Sequence, residues 1–236
     1  MKVILISEAQ SRALLGLIHK KGLPYDFVAK KNELHFYREQ AIDIKFRLPI
    51  SIQSPQEFTH NPENNNKYIL IIIQSGMAAV GYFERGIPLD HKVFRAYMVR
   101  KKQGKSQLKY LKTKGKSRAG SRVRLAKSLE FFEEINLRLN EYFTAFQVDR
   151  IGLSCSPTLI PYFFGSKTAP PFKKNDPRIL NIPKHIQNPT YEALLHTNQF
   201  LRNGEIRYTD ENHALTEMFF EELKLDRCGP GEKRSK

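Results

Sequence analysis

The chain has 236 residues, 40% of them hydrophobic, enough to bury one ordinary domain with extensions or a domain plus a small accessory unit. Its two cysteines, Cys155 and Cys228, exclude a disulfide framework and a four-ligand zinc site, and neither a metal nor a cofactor is expected. A formal charge of +15 calls for a polyanionic partner, and nearly all of it lies in one stretch, because residues 91–129 hold fourteen Lys or Arg and no Asp or Glu.

The first residues, Met1-Lys-Val-Ile-Leu-Ile-Ser-Glu, form an apolar run too short for a signal-peptide core, and the longest such run, 69–73, is far below membrane-spanning length. A cytoplasmic protein without a membrane partner is expected. The first 66 residues read as a strand over 2–6, a helix over about 8–20, a mixed stretch through Glu33-Leu-His-Phe-Tyr37 and a linker at Asn61-Pro-Glu-Asn-Asn-Asn66.

Residues 68–74, Tyr-Ile-Leu-Ile-Ile-Ile-Gln, carry β-branched side chains without polar alternation, as a strand buried on both faces and central in its sheet requires. Ser75-Gly76 turns the chain into a second strand over 77–83, and Glu84-Arg-Gly-Ile-Pro88 turns it again. A third strand spans 92–100, completing an antiparallel meander. Residues 101–120 have few apolar anchors and read as a long exposed loop.

Ser121 is the expected N-cap of a helix over 121–143, whose stripe is Leu125, Leu129, Phe132, Asn136, Leu139 and Phe143. A strand over 148–154, a short helix over 158–164, a strand over 178–182 and a helix over 189–203 follow. Pro189 stands near the start of that last helix, and Gly204 just past its end. A further helix over 210–223 and a C-terminal tail complete the chain. The fold class is therefore α/β: three antiparallel strands, then helix, strand, helix, strand and helix, the order of ribonuclease-H-like mixed sheets. The expected domains are an accessory segment over 1–66, a catalytic domain over 67–204, and a C-terminal helix and tail over 205–236.

Basic residues at the helix start, Arg122, Arg124 and Lys127, stand where the macrodipole favours acids, so folding alone would not choose them. Free N–H groups at a helix start, ringed by Lys and Arg, suit phosphate oxygens, and an RNA backbone is the natural occupant. Within the loop, Gly104-Lys-Ser-Gln107 has the form G-x-x-Q, in which glycine permits close backbone approach and glutamine offers a donor and an acceptor. Such a glutamine can position a water or a ribose hydroxyl against an ester or phosphodiester.

His91-Lys-Val-Phe-Arg-Ala-Tyr-Met-Val-Arg-Lys-Lys-Gln-Gly-Lys-Ser-Gln107, followed by Gly115-Lys-Ser-Arg-Ala-Gly-Ser-Arg-Val-Arg124, resembles the signature of the Vms-like release-factor domain family. The family is related to the central catalytic domain of eukaryotic class-one peptide-chain release factors and has bacterial members. The similarity runs from about residue 68 through Asp176-Pro-Arg-Ile-Leu-Asn-Ile-Pro-Lys184 and the helix after it.

The resemblance implies a monomeric protein of ribosome rescue that frees nascent chains from peptidyl-tRNA at the large ribosomal subunit, by ester hydrolysis or by cleavage near the tRNA 3′ end. It makes Gln107 the key residue and Gly104 the residue that permits the loop's conformation. Arg100, Lys101, Lys102, Lys105, Lys116, Arg118, Arg122, Arg124 and Lys127 would hold tRNA and ribosomal-RNA phosphates, and Ser121 matches the serine of the family's Ala-Gly-Ser helix start. Class-one factors carry Gly-Gly-Gln, and here Ser106 replaces the second glycine. The zinc finger and ankyrin repeats of eukaryotic members are absent from the sequence.

Two other readings compete. A ribonuclease-H-type nuclease needs converging carboxylates on metal ions, whereas the strand over 68–74 has none and Asp90 and Asp149 form no evident cluster. A non-catalytic module binding tRNA or ribosomal RNA would rely on charge alone. His91, His185, His196 and His213 are scattered, Cys155 reads as a buried thiol, and Tyr162-Phe-Phe164 offers rings able to stack on bases but reads first as a core helix face.

Overall fold

The computed structural model describes residues 1–56, 66–96, 117–210 and 214–224, with side chains throughout except at 117–128. In chain order the elements are β1 (Lys2–Ile6), α1 (Glu8–Lys21), β2 (Asp26–Val28), β3 (Glu33–Arg38), β4 (Ala41–Arg47), β5 (Lys67–Gln74), β6 (Met77–Glu84) and β7 (Ile87–Arg95). Then come α2 (Ser117–Ala145), β8 (Arg150–Cys155), α3 (Ile160–Phe164), β9 (Ile179–Asn181), α4 (Tyr191–Arg202), β10 (Gly204–Tyr208) and α5 (Ala214–Leu223). Two compact units result, Met1–Asn65 with Asn198–Lys236, and Asn66–Thr197. Among the described residues no helix is long and apolar enough to cross a membrane.

The first unit is a five-stranded sheet ordered β1-β10-β4-β3-β2. Its strands alternate: Ile6, Ile44, Phe46, Leu34, Phe36, Ile206 and Tyr208 face one core, where Leu14, Leu15 and Ile18 of α1 and Phe219, Phe220 and Leu223 of α5 cover them. The mixed stretch around residues 33–37 is thus β3, paired with β4. Helix α1 starts at Ser7, whose hydroxyl accepts from Gln10 N–H while the Gln10 side chain accepts from Ser7 N–H, a complete capping box. It stops at Gly22, held at φ 61 in the left-handed region.

Strand β10 corrects the reading of Gly204 as a helix stop. This glycine begins a strand paired with β1 and β4, and a Cβ there would overlap the Ser11 hydroxyl and stand 2.9 Å from Ile6 Cγ1. Close approach of α1 to the sheet, not a left-handed cap, is what demands glycine.

The second unit holds the sheet β7-β6-β5-β8-β9, in which β5, β6 and β7 are antiparallel and β8 and β9 join in parallel. This is the ribonuclease-H-like arrangement expected from the element order, and β5 is central and buried on both faces. One face, with Ile69, Ile71, Ile73, Ala78, Val80 and Tyr82, packs against Phe131, Phe132, Ile135, Leu139 and Tyr142 of α2. On the other face Gly81 lets Leu194 of α4 approach, since a Cβ would stand 2.5 Å from Leu194 Cδ2.

Three local expectations are corrected. Helix α2 begins at Ser117, so Ser121 lies inside it and is not the N-cap. Leu129 is 39% exposed, whereas Phe132, Asn136 and Leu139 of the expected stripe are buried together with Phe131, Ile135 and Tyr142. Pro189 precedes α4, which Thr190 caps by accepting the Ala193 N–H at 3.2 Å. The turn into β7 is also tighter than expected: Arg85 and Gly86 sit at φ 53 and 81, a two-residue hairpin loop, and β7 starts at Ile87. The expected linker lies within 57–66, of which the structure describes Asn66 alone.

Candidate functional site

Strand directions gather the ends of the second sheet. β5 runs parallel to β8 and β8 to β9, and β7 runs parallel to β5 because both oppose β6. The C-terminal ends of β5, β7, β8 and β9 therefore share one sheet edge, where open α/β sheets place their ligands. At this edge Gly76, at φ 75, turns β5 into β6, and its carbonyl accepts the Ala96 N–H at 2.9 Å. Ala96 is the last described residue before 117.

The far end of α2 is fixed at the opposite edge. The Tyr82 hydroxyl donates to the Gln147 carbonyl at 3.2 Å, and the Asp149 N–H donates to the Lys67 carbonyl at 2.8 Å. A helix of 29 residues is roughly 43 Å long, while the eight residues of β5 span roughly 26 Å. With its C-terminal part seated along the sheet, α2 overreaches the strands by about 17 Å at the edge where β5 and β7 end. Among the described side chains of α2 the first buried one is Phe131.

Arg100, Lys101, Lys102, Gly104, Lys105, Gln107 and Lys116 lie outside the described residues. Arg118, Ser121, Arg122, Arg124 and Lys127 all fall on the overreaching part of α2, whose backbone alone is described. No acidic residue stands in the first turn of that helix. The structure thus collects the second half of the expected phosphate-binding set on one helical segment, joined to the sheet edge by the chain that carries Gln107.

Other candidate groups are engaged otherwise. Burial pushes the Cys155 thiol up to about 11, and its sulfur makes only a weak 3.6 Å bond to the Ser156 carbonyl, so it stays protonated and is no nucleophile at neutral pH. Asp90 is ion-paired with Arg138 of α2, and Asp149 sits at the start of β8, at the edge opposite the C-terminal ends of β5 and β7. Among the described residues no three His, Cys, Asp or Glu side chains converge as metal ligands. His91 stacks on Tyr191 with ring centroids 3.8 Å apart.

Tyr162 is the residue the sequence reading misplaced. Phe163 is fully buried and Phe164 packs against the core, yet Tyr162 of the same short helix is 48% exposed. Which of three adjacent aromatics faces outward depends on how α3 docks on α2, and no local pattern encodes that.

No curated protein matches the sequence. Among solved structures, one described as the Vms1 mitochondrial localization core aligns with 84% of this chain and 82% of its own at 15% identity, with a TM-score of 0.43. The family described as bVLRF1, Bacteroidetes VLRF1 release factor, matches residues 68–209, which cover well over half of the chain and include β5 through β10, the basic segment and Gln107. The chain belongs to the Bacteroidetes VLRF1 release factor family.

Proposed function

We propose that this protein is a ribosome-associated factor that frees nascent chains from peptidyl-tRNA in ribosome rescue, with the segment between β7 and α2 as its working part. One observation carries the reading. In a chain of a release-factor family, a run of fourteen cations without a single acid extends from the end of β7, through the segment that follows it, into the overreaching part of α2. Phosphate-binding groups in that position can fix the protein on tRNA and ribosomal RNA, while the backbone at Gly104 brings Gln107 to the ester.

In ester hydrolysis the Gln107 amide orients a water toward the carbonyl that links peptide and ribose. The water oxygen bonds to that carbon, the ester C–O bond breaks, the tRNA 3′-oxygen takes one of the water's protons, the other passes to solvent, and the peptide leaves as a carboxylate. In cleavage near the tRNA 3′ end the same amide would orient a ribose 2′-hydroxyl against the adjacent phosphorus: the 2′-oxygen bonds to phosphorus, the P–O5′ bond breaks, the 5′-oxygen takes the proton, and a short nucleotide remnant leaves with the peptide. We assign the activity to residues 67–204, in a cytoplasmic monomer that needs no cofactor, with the large ribosomal subunit and peptidyl-tRNA as partners.

The test is to incubate the protein, or Gln107→Ala, with stalled ribosome–nascent-chain complexes and to resolve both the peptide and the tRNA 3′ end. Wild type is expected to release peptide and Gln107→Ala to lose at least 100-fold in rate, on the order of a lost positioning group, while still binding ribosomes. Intact tRNA would identify hydrolysis, and shortened tRNA strand cleavage. The presence of Ser106 in place of glycine favours one other reading, a ribosome-binding factor without catalysis. Wild type that binds but yields neither product would establish that reading instead.

A further inference from the structure

We infer that Tyr162 is a stacking platform for an unpaired base of the RNA bound at the basic segment. The inference rests on the RNA-binding part of the proposed function and adds to it a residue outside the basic segment. Helix α3 begins five residues after Cys155, the last residue of β8, at the sheet edge where β5 and β7 also end. The Leu159 N–H and the Ile160 N–H both turn back to the Ser156 carbonyl, at 2.8 and 3.2 Å, which sets the start of the helix close to the strand end.

The Tyr162 ring lies nearly parallel to Phe132 of α2, at 16° with centroids 6.2 Å apart. Phe132 is buried and braced edge-on by Phe131 at 5.3 Å. Below the platform, Asn136 Nδ2 donates to the carbonyls of Phe163 at 2.9 Å and Thr168 at 2.8 Å, bolting α3 to α2. The tyrosine is therefore backed on one side and 48% exposed. A rigid, half-exposed aromatic ring of this kind accepts any base by stacking, because every base has a π-face.

Charge points to a nucleic acid rather than an apolar protein partner. No Asp or Glu occurs from Ser156 to Asn175, and Lys167, Lys173 and Lys174 are exposed there. The nearest acids on α2 are turned away: at about 100° per residue, Glu133 stands a quarter turn from Phe132, and Glu130 and Glu134 lie on the opposite side of the helix. The overreaching helix with Arg118, Arg122, Arg124 and Lys127 rises from the same place, so one strand of RNA can follow the cations and lay a base on Tyr162.

The sequence contains no tryptophan, so Tyr162→Trp introduces the sole indole of the 236-residue chain. A single-stranded oligoribonucleotide of about twelve nucleotides, within the span of one single-strand site, is the probe. The single strand is expected to quench the indole, and duplex RNA of equal length to leave it unquenched. By anisotropy, Tyr162→Ala is expected to weaken oligonucleotide binding about 5- to 100-fold while Tyr162→Phe binds like wild type. Near-ultraviolet circular dichroism checks that the alanine variant keeps its aromatic packing. Equal binding by wild type and Tyr162→Ala overturns the stacking role and leaves the proposed function standing. Wild type that binds neither the oligonucleotide nor ribosomes overturns both.

Discussion

Asn136 shows at the residue scale how a polar side chain can hold a site together. It has no exposure, lies among the apolar residues of α2, and spends both amide hydrogens on carbonyls of Phe163 and Thr168. Replacing it with leucine strands those two acceptors among apolar groups, and each stranded group costs about 1–3 kcal/mol. Asn136→Leu is expected to lower the urea midpoint by an amount equivalent to roughly 2–4 kcal/mol. An unchanged midpoint would mean that water or repacking satisfies both carbonyls. The sequence placed Asn136 on the helical stripe but offered no reason for an amide there, because its partners lie 27 and 32 residues away. Cys155 was more legible, since a lone thiol at the end of an apolar strand has few roles besides packing.

At the scale of elements, β10 and its glycine carry the sharpest test. Gly204→Ala forces a methyl group against the Ser11 hydroxyl, which is buried and donates to the Ser7 carbonyl at 2.8 Å inside the first turn of α1. Overpacking of this kind costs about 1–3 kcal/mol, and thermal unfolding should report it as a clear drop in Tm. Ser11→Ala removes the nearer obstacle while Ile6 remains at 2.9 Å, so the double variant should recover part of the loss. Purely additive losses would show that the two residues do not meet. The strand itself was half visible in Gly-Glu-Ile-Arg-Tyr, which alternates polar and apolar residues. Its helix-adjacent glycine read equally well as a stop, and its partners in β1 and β4 are some 160 to 200 residues away. By contrast β5, β6 and α2 announced themselves, because a two-sided buried strand and a long amphipathic helix have local signatures.

Charge is a property of the whole molecule, and here it divides unevenly. Of the 39 Lys and Arg, fourteen lie in 91–129, which leaves 25 cations facing all 24 acids of the chain. Outside that segment the protein is nearly neutral, so the proposed polyanion-binding segment is legible from sequence as a location along the chain. Its spatial context was not: the shared edge of four strand ends, the helix overreach and Tyr162 all follow from how the sheet is ordered. A neutral body with one cationic segment should bind RNA with a salt dependence set by that segment alone. Each phosphate contact on a single strand contributes a slope of about −0.7 in log affinity against log salt, so six contacts would cost roughly 300-fold between 50 and 200 mM. Replacing Arg122 and Arg124 together with glutamine should flatten the slope by about 1.4 and weaken binding most at low salt. Replacing Arg12 and Lys20 of α1, in the other unit, should leave the slope unchanged. Anisotropy titrations over that salt range decide the matter. A slope insensitive to the first pair would take the start of α2 off the RNA, and a slope sensitive to the second would spread the contact over the neutral body.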